Sequence, residues 1–221
     1  LDCVGSPVTE LDLRYNPQLH SLNADGCRLR SLNLTLNPKV DFLSCLCETL
    51  ETLYLLEGHK IDGINSGEGK NIPQATEIIY IPEVEDKEFK RYLTDNFDLD
   101  YDSFVSLEEA ATVREINIDP SAYSGISSLR GIKMFTSLER LDVPGQALSS
   151  VDLSSNAALS VLVCDGNPLE SANLGGNPLL KMLYCQATSL EAADLSRNPA
   201  LEEAYFSRSP LRSLDLSGNP A

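Results

Sequence analysis

Written from Leu138 in lines of 21 residues, the chain reads LERLDVPGQALSSVDLSSNAA, LSVLVCDGNPLESANLGGNPL, LKMLYCQATSLEAADLSRNPA and LEEAYFSRSPLRSLDLSGNPA, with no insertion between lines. Upstream, ELDLRYNP from Glu10 and SLNLTLNP from Ser31 repeat half of the motif at the same spacing. LHSLNADGCRL from Leu19 and VDFLSCLCETL from Val40 supply the other half, and LETLYLLEGHKI closes that series. A unit recurring at so short a fixed period cannot bury its apolar face alone and must stack on its neighbours. Alternation in L-x-L or L-x-C points two side chains inward and one outward, so equal stacked turns give a parallel sheet along one side of a coil. The fold class predicted is an α/β repeat solenoid.

Residues Leu159 to Leu169, LSVLVCDGNPL, fit the pattern L-x-x-L-x-L-x-x-N/C-x-L, with Cys164 in one of the apolar slots. Over roughly 1–64 and 130–221 the chain resembles the short-repeat bacterial class of leucine-rich repeat proteins, with their DLSxNPxL half-unit. The resemblance implies a horseshoe or coil with a concave parallel sheet, and recognition of another protein through that face without enzymatic activity. It also implies a bacterial cell-surface or extracellular setting. Gln146, Thr188 and Ser209 stand where the pattern has Asn. These departures argue against a continuous asparagine ladder at that position, not against the coil.

The repeats are interrupted, and the chain divides into four stretches: repeats over 1–60, a solenoid end over 61–81, a helix-loop-helix cap over 82–130, and repeats over 131–221. In the end segment a β-branched run at 77–81 follows a Gly- and Pro-containing stretch, the atypical sequence that covers a solenoid's exposed apolar face. DKEFKRYLTDNF reads as an amphipathic helix with Phe89, Tyr92 and Leu93 inward. SLEEAATV reads as the next, with Ser106 as N-cap and Glu109 completing a capping box. The chain begins and finishes inside a repeat, which leaves two readings open: a piece of a longer tandem array, or a permuted record of one continuous array.

Residues 83–109, the first of those helices with the loop after it and the start of the second, gather ten acidic and three basic side chains. The twelve residues from Asp98 follow the EF-hand template D-x-[DN]-x-[DN]-G-x5-E. Asp98, Asp100 and Asp102 take positions 1, 3 and 5, the Phe104 carbonyl position 7, Ser106 position 9, and Glu109 the bidentate position 12. The ion this set suits is calcium, as a staple for the cap. Ser103 stands where glycine normally supplies a positive φ, a substitution costing about 1 kcal/mol of backbone strain. In the family resembled here, a similar acidic helix-loop-helix commonly precedes the repeats.

Composition narrows the function further. The formal net charge of −16 repels phosphate backbones and anionic lipid, so nucleic acid and membrane surfaces are not expected partners. No apolar run approaches the roughly 20 residues of a membrane span, and no basic-plus-apolar leader stands at Leu1, as expected of a mature form without its signal. Cys3, Cys45, Cys164 and Cys185 fall on one inward position, where cysteine acts as a small apolar residue. Cys27 and Cys47 lie outside it, and Cys45-x-Cys47 is not zinc spacing. His20 and His59 lie beside turns, and no G-x-S-x-G or H-E-x-x-H occurs. GEGKN at 67–71 lacks the first Gly and the Ser/Thr of a phosphate loop. No enzyme is indicated.

What remains is a surface. The outward residue of each strand in the later array is Asp142, Val163, Tyr184 or Tyr205, flanked by Asp165, Gln186, Ser207 and Arg208. Adjacent tyrosines with an arginine nearby have the composition of a protein-binding hot spot. The same set would suit a glycan-binding module, and a structural spacer is the third reading.

Overall fold

In the computed structural model, which describes residues 1–62, 64, 71–101 and 103–220, the chain forms two compact units, Leu1–Glu83 and Val84–Ala221. Each is a parallel β-solenoid of stacked, leucine-rich-repeat-like coils. The GEGK of the rejected phosphate loop (67–70) lies outside the described residues.

The first unit contains β1 (Ser21–Asn23), β2 (Ser31–Asn33), β3 (Phe42–Ser44), β4 (Thr52–Leu56) and β5 (Glu77–Ile81). β1 pairs in parallel with β3, Leu22 against Leu43, a step of 21 residues. Single bridges from Asp2 to Asn23 and from Phe42 to Asp62 extend this ladder on both sides. A second ladder runs β2-β4-β5, also parallel. The repeat pattern predicts a sheet along one side of the coil; the structure has two. The reason is that the S-L-x-L half-motif alternates as well: Leu32 and Leu34 are buried with an exposed Asn33 between them. Both ladders therefore feed one core, where Leu22, Leu34, Leu43, Leu53 and Leu55 are fully buried. β5 joins β4 at a step of 25 residues, Thr52 against Glu77, because the non-repeating stretch after Ile61 lengthens that coil.

The second unit opens with α1 (Lys87–Phe97) and α2 (Leu107–Ala110), and continues with β6 (Glu115–Asn117), a 3-10 turn at Ile132–Met134, and β7 (Arg140–Asp142) to β14. The later strands are β8 (Ser150–Asp152), β9 (Val161–Val163), β10 (Ser171–Asn173), β11 (Met182–Tyr184), β12 (Ala192–Asp194), β13 (Glu203–Tyr205) and β14 (Ser213–Asp215). The main ladder is a five-stranded parallel sheet, β6-β7-β9-β11-β13, and the half-motif strands pair as β8 with β10 and β12 with β14.

α1 starts where Asp86 accepts the N–H groups of Glu88 and Phe89 at 3.0 Å, an N-cap that satisfies donors the helix cannot. Phe89, Tyr92 and Leu93 are buried at i, i+3 and i+4, the expected inward face. Tyr92 meets Phe97 and Tyr123 edge-on at 5.8 and 5.1 Å, and its hydroxyl accepts the Asn117 N–H at 3.0 Å. The helix is thereby fixed to the end of β6. α2 is shorter than SLEEAATV suggests: both halves of the Ser106–Glu109 capping box form, but the helix stops at Ala110. The β-branched pair Thr112 and Val113 follows in a turn that leads into β6, and such residues lose side-chain freedom in a helix.

Three polar devices recur along the coils. The Asp or Asn of each half-motif accepts the N–H two residues on, as Asp152 does from Ser154 (3.1 Å), Asp194 from Ser196 (3.0 Å) and Asp215 from Ser217 (2.9 Å), which closes the strand with an Asx turn. After the main-ladder strands the backbone enters the left-handed region at Gly145, Gly166, Ala187 and Arg208, with φ between 53° and 70°. The third device corrects the ladder expectation. A buried asparagine ladder does run through the second unit, but from the NP or NA position of the half-motif: Asn156, Asn177, Asn198 and Asn219 each donate to two carbonyls of the preceding coil. Asn37 does the same in the first unit. At the consensus position, the substitutes keep the coil-to-coil bonds. Gln146 accepts from Ile126 N and donates to Tyr123 O, while Ser209 accepts from Thr188 N and donates to Cys185 O. Cys27 and Cys47, outside the inward position, are buried and aim their thiols at Cys3 O and Ala24 O of the preceding coil.

Candidate functional site

Among the described residues two groups of side chains are candidates for a functional site, both in the second unit. The first is the carboxylate loop. Asp98, Asp100 and Glu109 each bring a carboxylate oxygen within 4.8 Å of the others, the one such His/Cys/Asp/Glu cluster among the described residues. Asp98 ends α1, and Glu109 stands in the single turn of α2, so the two helices fix the ends of the loop. Asp98 accepts the Ser103 N–H at 2.8 Å. Ser103 has φ 67°, the left-handed geometry that the template assigns to glycine, and Tyr101 has φ 60°. Both cost strain in a residue with a Cβ.

Glu109 is held from both sides. One oxygen accepts the Leu99 N–H at 2.6 Å, and the other accepts the N–H and hydroxyl of Ser106 at 2.8 and 2.9 Å. Ser106 is thus engaged in the capping box. Val105, the apolar anchor of the template, is buried. Asp102 lies outside the described residues. Converging carboxylate oxygens are the kind of ligand a hard cation takes.

The second group is the outward face of the five-stranded sheet. In β7, β9 and β11 the middle residues Leu141, Leu162 and Leu183 are buried; the third residues are partly exposed, as are the first, except Val161, which is buried. The third residues form the expected column: Asn117, Asp142, Val163, Tyr184 and Tyr205. Tyr184 and Tyr205 stack, with centroids 4.9 Å apart and planes 10° from parallel. That separation is the spacing of adjacent strands, so strict register between β11 and β13 creates the pair. Tyr205 is 42% exposed and Tyr184 half-buried.

The residues flanking the pair are more committed to the protein than the sequence suggests. Asp142 accepts from Arg140 at 2.8 and 3.1 Å. Asp165 accepts the Gln186 N–H at 2.6 Å, and Gln186 accepts from the Ser207 hydroxyl, so these three tie coil to coil. Arg208 is exposed on the left-handed turn of the last coil.

Sequence reasoning missed the other in-register column, Glu115, Arg140, Val161, Met182 and Glu203, all at least partly exposed except the buried Val161. The signal was present, since both positions flanking the middle leucine of L-x-L-x alternate outward. These residues shape the site. Glu203 accepts the Tyr205 hydroxyl at 2.9 Å, and that hydrogen bond, with the nearby charge, raises the phenol above its ordinary range. Met182 lies under the Tyr184 hydroxyl, 3.9 Å from it. The partly exposed apolar residues of the face are Val163, Met182, Tyr184 and Tyr205, and its strands and their lead-ins carry ion pairs of Arg140 with Asp142 and Glu115 and of Lys181 with Glu202 (3.1 Å).

No family profile and no curated protein matches the chain. Among solved structures it is similar to the functional domain of InlJ from Listeria monocytogenes, described as including a cysteine ladder, with 19% identity over 99% of this chain and a TM-score of 0.45. It is also similar to a chain of the LRIM1/APL1C complex (14% identity, 91% of this chain, TM-score 0.37) and to one of the TLR13–ssRNA13 complex (14%, 95%, 0.35). The chain spans 41%, 37% and 34% of those chains. Among the described residues no helix is long and apolar enough to cross a membrane.

Proposed function

We propose that this chain is a non-enzymatic recognition module of an extracellular or bacterial cell-surface protein, and that another protein binds the outward face of its five-stranded sheet. The observation that carries this reading is the Tyr184–Tyr205 stack, standing on a rigid, in-register ladder beside Val163 and Met182. Rigid aromatic side chains lose little conformational entropy on binding and dominate recognition surfaces. The nearby carboxylates Asp142, Glu202 and Glu203, together with the net charge of −16, favour a partner whose rim is basic.

In the same reading the cap is braced by calcium. Asp98, Asp100, Asp102, the Phe104 carbonyl, Ser106 and Glu109 would hold the ion, whose charge would offset the mutual repulsion of the carboxylates. Ser103 makes the site weaker than one with glycine there.

The test is the double variant Tyr184→Ala/Tyr205→Ala, compared with the parent as bait for cell-surface protein extracts and on a glycan array. A protein captured by the parent should be retained at least tenfold less by the variant. Capture of that protein undiminished by the double variant would overturn the assignment to this face. Binding confined to the glycan array, and lost in the variant, would make the module a lectin. Retention of neither class by the parent would leave the spacer reading.

A further inference from the structure

We infer that Cys164 and Cys185 are a disulfide-forming pair that can bolt two neighbouring coils of the second unit together. The two residues follow β9 and β11 at the same place in the repeat, one position beyond the paired Val163 and Tyr184. Neighbouring parallel strands run about 4.8 Å apart, inside the Cα separation of about 4.4–6.8 Å that a disulfide spans. Both side chains point into the core, and their sulfurs lie 2.6 Å apart, close to the bonded S–S length of about 2.05 Å. The Tyr184 carbonyl, which faces the Cys164 thiol, also accepts the Cys164 N–H at 2.8 Å, so bonding the sulfurs strands no acceptor.

Packing alone does not ask for cysteine here. The same inward position is filled by Val143 in the preceding coil and by Ala24 in the first unit, both fully buried. The first unit also shows what a less suitable arrangement looks like. There Cys3 and Cys45 are separated by the Ala24 coil, and each has its nearest thiol partner out of this column: Cys27 at 3.8 Å and Cys47 at 3.3 Å. Cys27 and Cys47 are themselves engaged with backbone carbonyls at 3.1 and 3.0 Å.

The chemistry needs a disulfide oxidant, for which a small-molecule disulfide such as oxidised glutathione serves. One protein thiolate attacks a sulfur of the reagent and expels a thiolate, giving a mixed disulfide. The second protein thiolate then attacks the protein sulfur of that mixed disulfide and expels the other half of the reagent. The two protons lost by the cysteines end on the two expelled thiols. In the folded coil the hydrogen bond between the thiols and their burial hold Cys164 well above its ordinary value. Little thiolate is therefore present once the coils have closed, and exchange belongs to the folding chain.

The experiment is to unfold the reduced chain, refold it in a mixture of reduced and oxidised glutathione, alkylate under denaturing conditions, and map the peptides. The expected product carries a Cys164–Cys185 link and four alkylated cysteines in place of six. Its thermal midpoint should fall by several degrees on adding reductant, while a Cys164→Ala/Cys185→Ala chain should fold and show no such response. Six alkylated cysteines after oxidative refolding would overturn the inference, as would a link mapped to any other pair.

Discussion

At the scale of single residues, the side chain that matters most to the coil is one the repeat pattern hides. The Asn of the NP or NA step looks like turn punctuation, yet Asn177 is fully buried and donates to Leu153 O at 2.9 Å and to Asn156 O at 2.8 Å in the coil before it. Each of those carbonyls also accepts a backbone N–H, from Asn156 and Leu159, so removing the side chain takes away two hydrogen bonds worth roughly 0.5–1.5 kcal/mol each and strands neither oxygen. Asn177→Ala should therefore lower the unfolding free energy by about 1–3 kcal/mol, read as a drop in urea midpoint with little change in slope. The consensus position invites the opposite error. Gln146, Thr188 and Ser209 look like losses, but the Gln146 amide and the Ser209 hydroxyl make the same coil-to-coil bonds as an asparagine, while the Thr188 hydroxyl bonds to Cys185 O within its own coil. What a pattern of letters cannot convey is which of two asparagines per repeat faces the interior, because that depends on where each bend falls.

The helical elements of the cap were the most readable part of the sequence outside the repeats. Phe89, Tyr92 and Leu93 share one helix face by spacing, and Ser106 with Glu109 fits a capping box. The tie between Asp86 and Ser127 was not readable, since it joins residues far apart in sequence. Asp86 accepts the Ser127 N–H at 2.8 Å and hydroxyl at 2.9 Å besides capping α1. Burial pushes its carboxyl up, but the N–H groups of Phe89, Ser127 and Glu88 and the Ser127 hydroxyl outweigh it and hold the group below the usual range. A carboxyl lowered by folding stabilises the folded state above its unfolded value, near 4, and that contribution is lost as pH falls through the folded value. Asp86→Ala should cost about 1 kcal/mol at pH 7. The gap between parent and variant should close on acidification below about pH 4, as followed by thermal melts across the acid range. A gap that persisted at low pH would assign the cost to packing instead.

For the molecule as a whole, the fold class was legible and the number of ladders was not, because both halves of the repeat alternate and only packing decides that each becomes a strand. Charge is the other whole-molecule property. A chain with a net charge of −16 gains stability from any salt that screens self-repulsion. A calcium-specific gain must therefore be measured against potassium chloride at matched ionic strength. Calcium should raise the thermal midpoint by several degrees beyond that control, and the excess should vanish in Asp98→Ala and Glu109→Ala chains, since a ligand held only by the folded form stabilises it. Equal responses to the two salts would leave the loop as an acidic cap and nothing more.

The register carries one more consequence. β7, β9, β11 and β13 succeed one another at identical steps of 21 residues, whereas the step from β6 to β7 is 25. The irregular step is confined to the capped end, so the coils after it are interchangeable modules, each advancing the sheet by about 4.8 Å. Duplicating one of them would lengthen the five-stranded sheet as adding a tooth lengthens a comb, with the capped end unchanged, so the length of this face can be tuned by copy number alone.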